Sequence, residues 1–152
     1  MDIPVSPQLL EQFLHQQIPL SRAMGVSAID VTAESVQLSA PLAPNLNHRA
    51  TVFGGSASSV AILAAWSLLH VRLRDSFPSV SIVIQRQSMS YNRPIHGTFA
   101  ARASLAQPAE WPRFLRLLTR RGKARISVAS TLEYDGEQVA FFSGDFVAFD
   151  RY

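Results

Sequence analysis

A glycine pair, Gly54-Gly55, stands directly before a long apolar run, with Ser56, Ser58 and Ser59 in the turn and a half that follows. The first backbone N–H groups of a helix have no partner inside it and lie at the positive end of its macrodipole. A glycine pair can therefore bring such amides close to an electron-rich oxygen. The same pair can also do no more than begin a tightly packed helix. Asn47 and His48 lie just upstream, in a loop rich in Pro and Asn. An amide side chain can hold water or a carbonyl, and an imidazole suits proton transfer near neutrality. Equally, Asn supports turns through its own backbone bonds, and His48 can simply face solvent. The serines can orient water or serve as capping and packing residues.

Other chemistries find less to work with. With no Cys, disulfides, thiolate metal sites and a cysteine nucleophile are excluded. No Gly-x-Ser-x-Gly elbow is present, and no acid stands near His48, which argues against a serine triad. His15, His48, His70 and His96 are not clustered with acids at metal-ligand spacing. Lys and Arg number 14 against 11 acids, and 13 of the 14 are Arg. A formal charge of +3 is a weak field for nucleic acid. The densest cationic run is Arg113, Arg116, Arg120, Arg121, Lys123 and Arg125. It suits phosphates or an acidic partner through the planar guanidinium fork, or forms a solvated rim. Aromatics do not interleave with it as a stacking platform for nucleic acid requires. Asp145 shares a strand face with Phe141, Val147 and Phe149. It either serves a site across a dimer interface or pairs locally with Arg or a turn.

These residues need elements to hold them, and 152 residues with 47% hydrophobic and 16% charged side chains suffice for one domain spanning 1–152. Ser6 and Pro7 open a helix whose apolar residues recur at helical spacing to about Gln17, where Pro19 ends it. Strand patterns follow at 26–31 and 35–40, then a loop at 41–53. The helix after Gly54-Gly55-Ser56 is apolar nearly all round, so it belongs inside something. Its low-charge stretch, 57–71, falls short of the ~20 residues that cross a bilayer. The amino terminus lacks the pattern of a leader peptide, so the chain is expected in the cytoplasm. Strands are expected at 80–90, 98–106 and 126–134, with a helical turn or two at 112–118. Asp135-Gly136 forms a hairpin to a return strand from Val139 to Phe149. The order implies an α+β fold, an antiparallel sheet curled around one apolar helix. Its exposed edges favour a homodimer.

That order, with Ser39 to Asn47, Thr51 to Ser56, Trp66, Tyr91-Asn92-Arg93-Pro94 and Gly97, resembles the hotdog fold. More narrowly it resembles the thioesterase family typified by the C-terminal domain of YiiD-type bacterial acetyltransferases. The resemblance implies an acyl-CoA or acyl-carrier-protein thioester as ligand, in fatty acid metabolism. No cofactor is implied beyond the coenzyme A moiety of the substrate, and no metal, nucleic acid or membrane. The assembly would be a homodimer or a dimer of dimers. The expected catalytic residues are Asn47, His48 and Gly55, the last supplying an oxyanion donor while water attacks. Expected substrate contacts are Phe53, Gly54, Ser56, Ser59, Trp66, Tyr91, Arg121 and Lys123. Broader hotdog thioesterases of the phenylacetate type carry Asn, a Gly three residues on, His-Gly-Gly, and a carboxylate in the next helix. Here Asn47 and Gly54-Gly55 match, whereas Ala50, Phe53 and about Ile62 stand at the other positions. The helix carboxylate is absent: between Glu34 and Glu110 the only acid is Asp75. The alternatives are a non-catalytic acyl-binding dimer and, behind it, a hotdog hydratase or dehydratase, which needs a His and carboxylate pair.

Overall fold

The computed structural model describes residues 5–150. Residues 1–4, which belong to the segment read above as lacking a leader, lie outside it, as do 151–152. Helix α1, Pro7–Gln17, starts as its sequence dictates: the Ser6 hydroxyl accepts from the Leu9 amide at 3.2 Å and Pro7 occupies the first turn. Leu10 and Leu14 face inward. Pro19 ends α1 and at once begins a second, short helix, α2, Pro19–Ala23. The sequence reading missed α2 because a proline that stops one helix fits equally well at the start of the next.

Six strands form one antiparallel sheet: β1 Ser27–Val31, β2 Val36–Ala40, β3 Val80–Tyr91, β4 Phe99–Leu105, β5 Lys123–Tyr134 and β6 Glu137–Asp150. Their order across the sheet is β1-β2-β4-β5-β6-β3. Alternation decides which face is covered. Val36, Leu38 and Ala40 of β2, Phe99, Ala101, Ala103 and Leu105 of β4, and Ile126, Val128 and Leu132 of β5 are all buried. The β5–β6 hairpin turns at Asp135 and Gly136, whose φ values of 53° and 77° are both positive. That is the turn whose twist matches paired strands, and the reason Asp-Gly is found there.

The buried face is filled by α3, Gly54–Leu73, which touches β2, β3, β4, β5 and β6. Ala57, Ala61, Ala64 and Ala65 are almost wholly buried, so small side chains let the helix sit close to the strands. Ser130 of β5 donates to the Ala61 carbonyl at 2.9 Å, a buried polar link between layers. With 20 residues, α3 extends beyond the 57–71 stretch and is long and apolar enough to cross a membrane by length and composition. Its apolar circumference is instead explained by the sheet wrapped around it.

Helix α4, Trp111–Arg121, has eleven residues rather than one or two turns. Trp111, Phe114 and Leu118 are its buried face. The Arg72 guanidinium lies 4.2 Å from the centre of the Trp111 ring, tying α4 to the last turn of α3. Because α4 follows β4 and precedes β5, it stands at the end of the sheet away from the start of α3.

Candidate active site

No side chain caps the start of α3. The Phe53 carbonyl accepts from the amides of Ser56, at 2.9 Å, and Ala57, at 3.1 Å. Among the described residues, the amides of Gly54 and Gly55 have no hydrogen-bond acceptor. Two polarised donors are therefore free at the positive end of a 20-residue helix. The Tyr91 hydroxyl donates to the Gly54 carbonyl at 2.9 Å, fixing this first turn to the end of β3. The Phe53 ring folds back over Gly55, where a Cβ would stand only 2.4 Å from it. A Cβ at Gly55 would therefore push the Phe53 ring, which is largely exposed, out of this position.

The loop before α3 is a small hairpin. Leu46 bridges to Val52, the Asn47 amide donates to the Thr51 carbonyl, and the Phe53 amide donates to the Asn45 carbonyl. The Asn47 side chain is spent on this loop. Its Nδ2 donates to Thr51 Oγ1 at 2.7 Å, and its Oδ1 accepts from the Arg49 and Thr51 amides at 2.8 and 3.1 Å. His48 is exposed at the tip, two rungs above the base of α3. Ala50 holds a left-handed φ of 63°, which an L-residue adopts at a cost of about 1–2 kcal/mol. The corresponding position in the broader thioesterase pattern is a glycine, and the backbone here explains why.

Asn45, which the sequence reading passed over, is the buried member of the loop at 2% exposure. Its Nδ2 donates to the Met24 and Pro41 carbonyls at 2.9 and 2.8 Å, while its Oδ1 is buried without a partner. It ties the loop to the α2–β1 junction. The only signal available in sequence was an Asn in a Pro-rich turn, and Asn47 carried the same signal.

A cavity of about 340 Å³ opens beside the free amides, between α2, the loop and α3; Asn45, Phe53, Gly55, Ser56 and Ser59 line it. It shares Leu20, Met24 and Ser59 with a second space of about 210 Å³ that continues along α3 past Ile62 and Leu63 to Trp66. Asn47 and His48 line neither space, and among the described residues no acidic side chain does. Where the broader pattern has a carboxylate on the helix, Ile62 faces an apolar groove. The Ser59 hydroxyl donates back to the Gly55 carbonyl at 2.7 Å, and that of Ser58 donates to Gln87 at 3.1 Å. Ser56 is the hydroxyl beside the amides without such a bond.

Arg121 and Lys123 are far from this cavity within one chain. Together with Gln85, Arg125 and Val147 they line a separate space of about 480 Å³. Along β5, nine residues separate Lys123 from Leu132, which pairs with Ala140, the partner of Tyr91. At strand rise that is about 30 Å. Asp145 accepts from the Ser127 hydroxyl at 2.6 Å and stands opposite Arg86, on the sheet face away from α3. His15 bonds the Val26 carbonyl through Nε2 at 2.8 Å, and His70 packs against both Phe13 and Trp66. Burial, helped by the Arg74 charge, pushes the His70 imidazole below its ordinary value. Among the described residues no three His, Asp or Glu side chains are grouped to hold a metal.

A six-stranded antiparallel sheet wrapped on one apolar helix, with free amides at the start of that helix, defines the hotdog class. Within it, residues 7–150 match the family described as "Putative thioesterase (yiiD_Cterm)", and the chain belongs to that family. A crystal structure of a protein of unknown function from Chlorobaculum tepidum TLS is similar at 25% identity and a TM-score of 0.89, covering 99% of this chain and 100% of its own. A putative thioesterase from Shewanella oneidensis is 27% identical, with a TM-score of 0.78, over 94% and 96% of the two chains. A probable thioesterase of unknown function from Pseudomonas aeruginosa shares the fold at 22% identity, with a TM-score of 0.83 over 98% and 99%.

Proposed function

We propose that this chain hydrolyses acyl thioesters of coenzyme A or an acyl carrier protein, as a cytoplasmic homodimer or dimer of dimers and without a resident cofactor. The observation that carries the reading is the pair of unpartnered amides, Gly54 and Gly55, opening on a cavity continuous with an apolar groove. The thioester carbonyl lies against those amides, and its oxygen gains negative charge as water attacks. Fixed donors aimed at that developing charge contribute about 2.7–4 kcal/mol each to the transition state. The acyl chain lies along α3 toward Trp66. Asn47 is committed to holding the loop, and His48 at its exposed tip lies outside the cavity of its own chain, so the attacking water loses its proton to solvent rather than to either side chain. Phe53 and Tyr91 frame the carbonyl, and Ser56 orients the water.

The dimer follows from β3. Among the described residues this strand pairs only with β6, and Val83 and Ile84 on it are 48% and 37% exposed. A second copy pairing antiparallel at β3 covers that edge. It also brings the Val80 end of one strand beside the partner's Tyr91, so Arg121 and Lys123 meet the phosphates of the ligand held by the other protomer.

Incubating the protein with acyl-CoAs of graded length and following free thiol tests the reading. Turnover is expected, and Gly55→Ala should lower kcat/KM by about 10- to 100-fold, because the displaced Phe53 ring swings over the amides. No turnover at any length overturns hydrolysis. The absence of a carboxylate around the cavity then favours the second reading, a non-catalytic acyl-thioester-binding dimer, which predicts calorimetric binding without product.

A further inference from the structure

Gly55, Ser59, Ile62 and Trp66 recur at helical spacing and make one stripe along α3, the floor of the groove. The next residue of that stripe is His70, and there the groove stops. The Phe13 ring of α1 lies flat on His70, with centroids 4.4 Å apart and planes 16° apart. Trp66 and His70 stack at 5.1 Å and 8°, and Phe13 and Trp66 at 6.2 Å and 13°. Trp66 cannot swing aside freely, because its Nε1 donates to the Ile82 carbonyl of β3 at 3.0 Å. Ile18 and Leu20 complete the wall on the α1–α2 side.

We propose that the Phe13–Trp66–His70 stack is the end wall of the acyl groove and restricts the ligand to medium-chain acyl thioesters. This rests on the thioester reading above and adds the class of acyl group. Eleven residues separate Gly55 from Trp66, a helix rise of about 16 Å. About 3 Å of that span is taken by the contact between the Gly55 amide and the carbonyl oxygen, and an all-trans chain advances about 1.25 Å per C–C bond, so the remaining ~13 Å holds about twelve carbons. The tied-back Ser59 hydroxyl leaves the middle of the groove without a free donor. Each further methylene up to the wall then strengthens binding about fourfold, the equivalent of the ~0.8 kcal/mol that burying a CH₂ contributes. Beyond the wall the added carbons stay in water or force the rings apart.

Calorimetric titration with non-hydrolysable S-alkyl-CoA thioethers of four to sixteen carbons reads this directly. Affinity of the unaltered protein should rise with length to about twelve carbons and then level off or fall. Ile62→Trp, which fills the groove, should move that break about four carbons shorter. Phe13→Ala should move it longer, raising the affinity ratio of the fourteen- to the eight-carbon thioether. Thermal melts confirm that each variant is folded, and Ile62→Trp alone decides the matter if Phe13→Ala does not fold. Affinity rising steadily to sixteen carbons, or a break that Ile62→Trp leaves in place, overturns the wall while leaving the thioester reading intact. Failure of every thioether to bind overturns that reading and the wall with it.

Discussion

At the scale of single residues, His70 has the most perturbed imidazole environment in the described chain. It lies against both Phe13 and Trp66, and its pKa is lowered first by burial and then by the Arg74 charge. The unfolded chain binds a proton there near pH 6.5, whereas the folded chain resists it. Between the unfolded value and the lower folded one, the unfolded state therefore holds more protons, and stability falls as pH falls. The loss begins as pH drops below about 6.5 and levels off once the folded form is protonated too. His70→Phe keeps the stack and removes the titration. Melting curves between pH 8 and 5 should show a shallower acid decline for the variant than for the unaltered protein. Parallel curves would mean that His70 contributes nothing to the pH dependence.

At the scale of elements, the start of α3 depends on how the loop before it is anchored, and that anchor is Asn45. Replacing it with Ala leaves the Met24 and Pro41 carbonyls without their donor in a buried place. An orphaned buried group costs about 1–3 kcal/mol, so Asn45→Ala should lower the unfolding free energy by that amount, read from the fall in the urea midpoint at constant m. Asn47→Ala, on the more exposed half of the same loop, should cost less. Equal losses would show that the two amides share the load. The contrast also marks what can be read from sequence. Period-two alternation located β2, β4 and β5, and all-round apolarity identified the buried helix, because burial acts on every residue of such elements. The glycine pair could be recognised because only a backbone without Cβ lets Phe53 approach Gly55. Which of two asparagines two residues apart is buried depends on carbonyls at Met24 and Pro41, set by chain geometry rather than by local pattern. Five residues are too few to show a helical period, and that hid α2. In α4 the period is present, with Trp111, Phe114 and Leu118 on one face and arginines on the other, so its full length was legible in the sequence and the expected turn or two fell short of it.

At the scale of the whole molecule, the sheet has two edges of unequal character. β1 has five residues and is flanked by α1, with the Ala28 amide donating to Glu11 at 2.9 Å. β3 has twelve, and one bulge between Ile84 and Arg86 is its one irregularity. A long unprotected edge is a template for pairing, which proteins blunt with charge, proline or a cover. The apolar rim nearby is also open: Leu20 is 59% exposed and Phe53 57%. Both flank the cavity beside Gly55, so the surface that needs a cover and the surface that needs dry walls are the same. A second copy at β3 meets both needs. Light scattering should then give twice the chain mass, or four times for a dimer of dimers. Val83→Glu with Ile84→Glu, placing charge on both faces of the strand, should yield a folded monomer that has lost most thioester turnover, because β3 keeps its pairing with β6. A native protein that is monomeric and fully active would overturn the two-fold site, as would a charged variant that stays dimeric. A monomeric variant with undiminished turnover would show instead that the dimer forms at β3 but each cavity works alone, leaving Arg121 and Lys123 with no part in binding the partner's ligand.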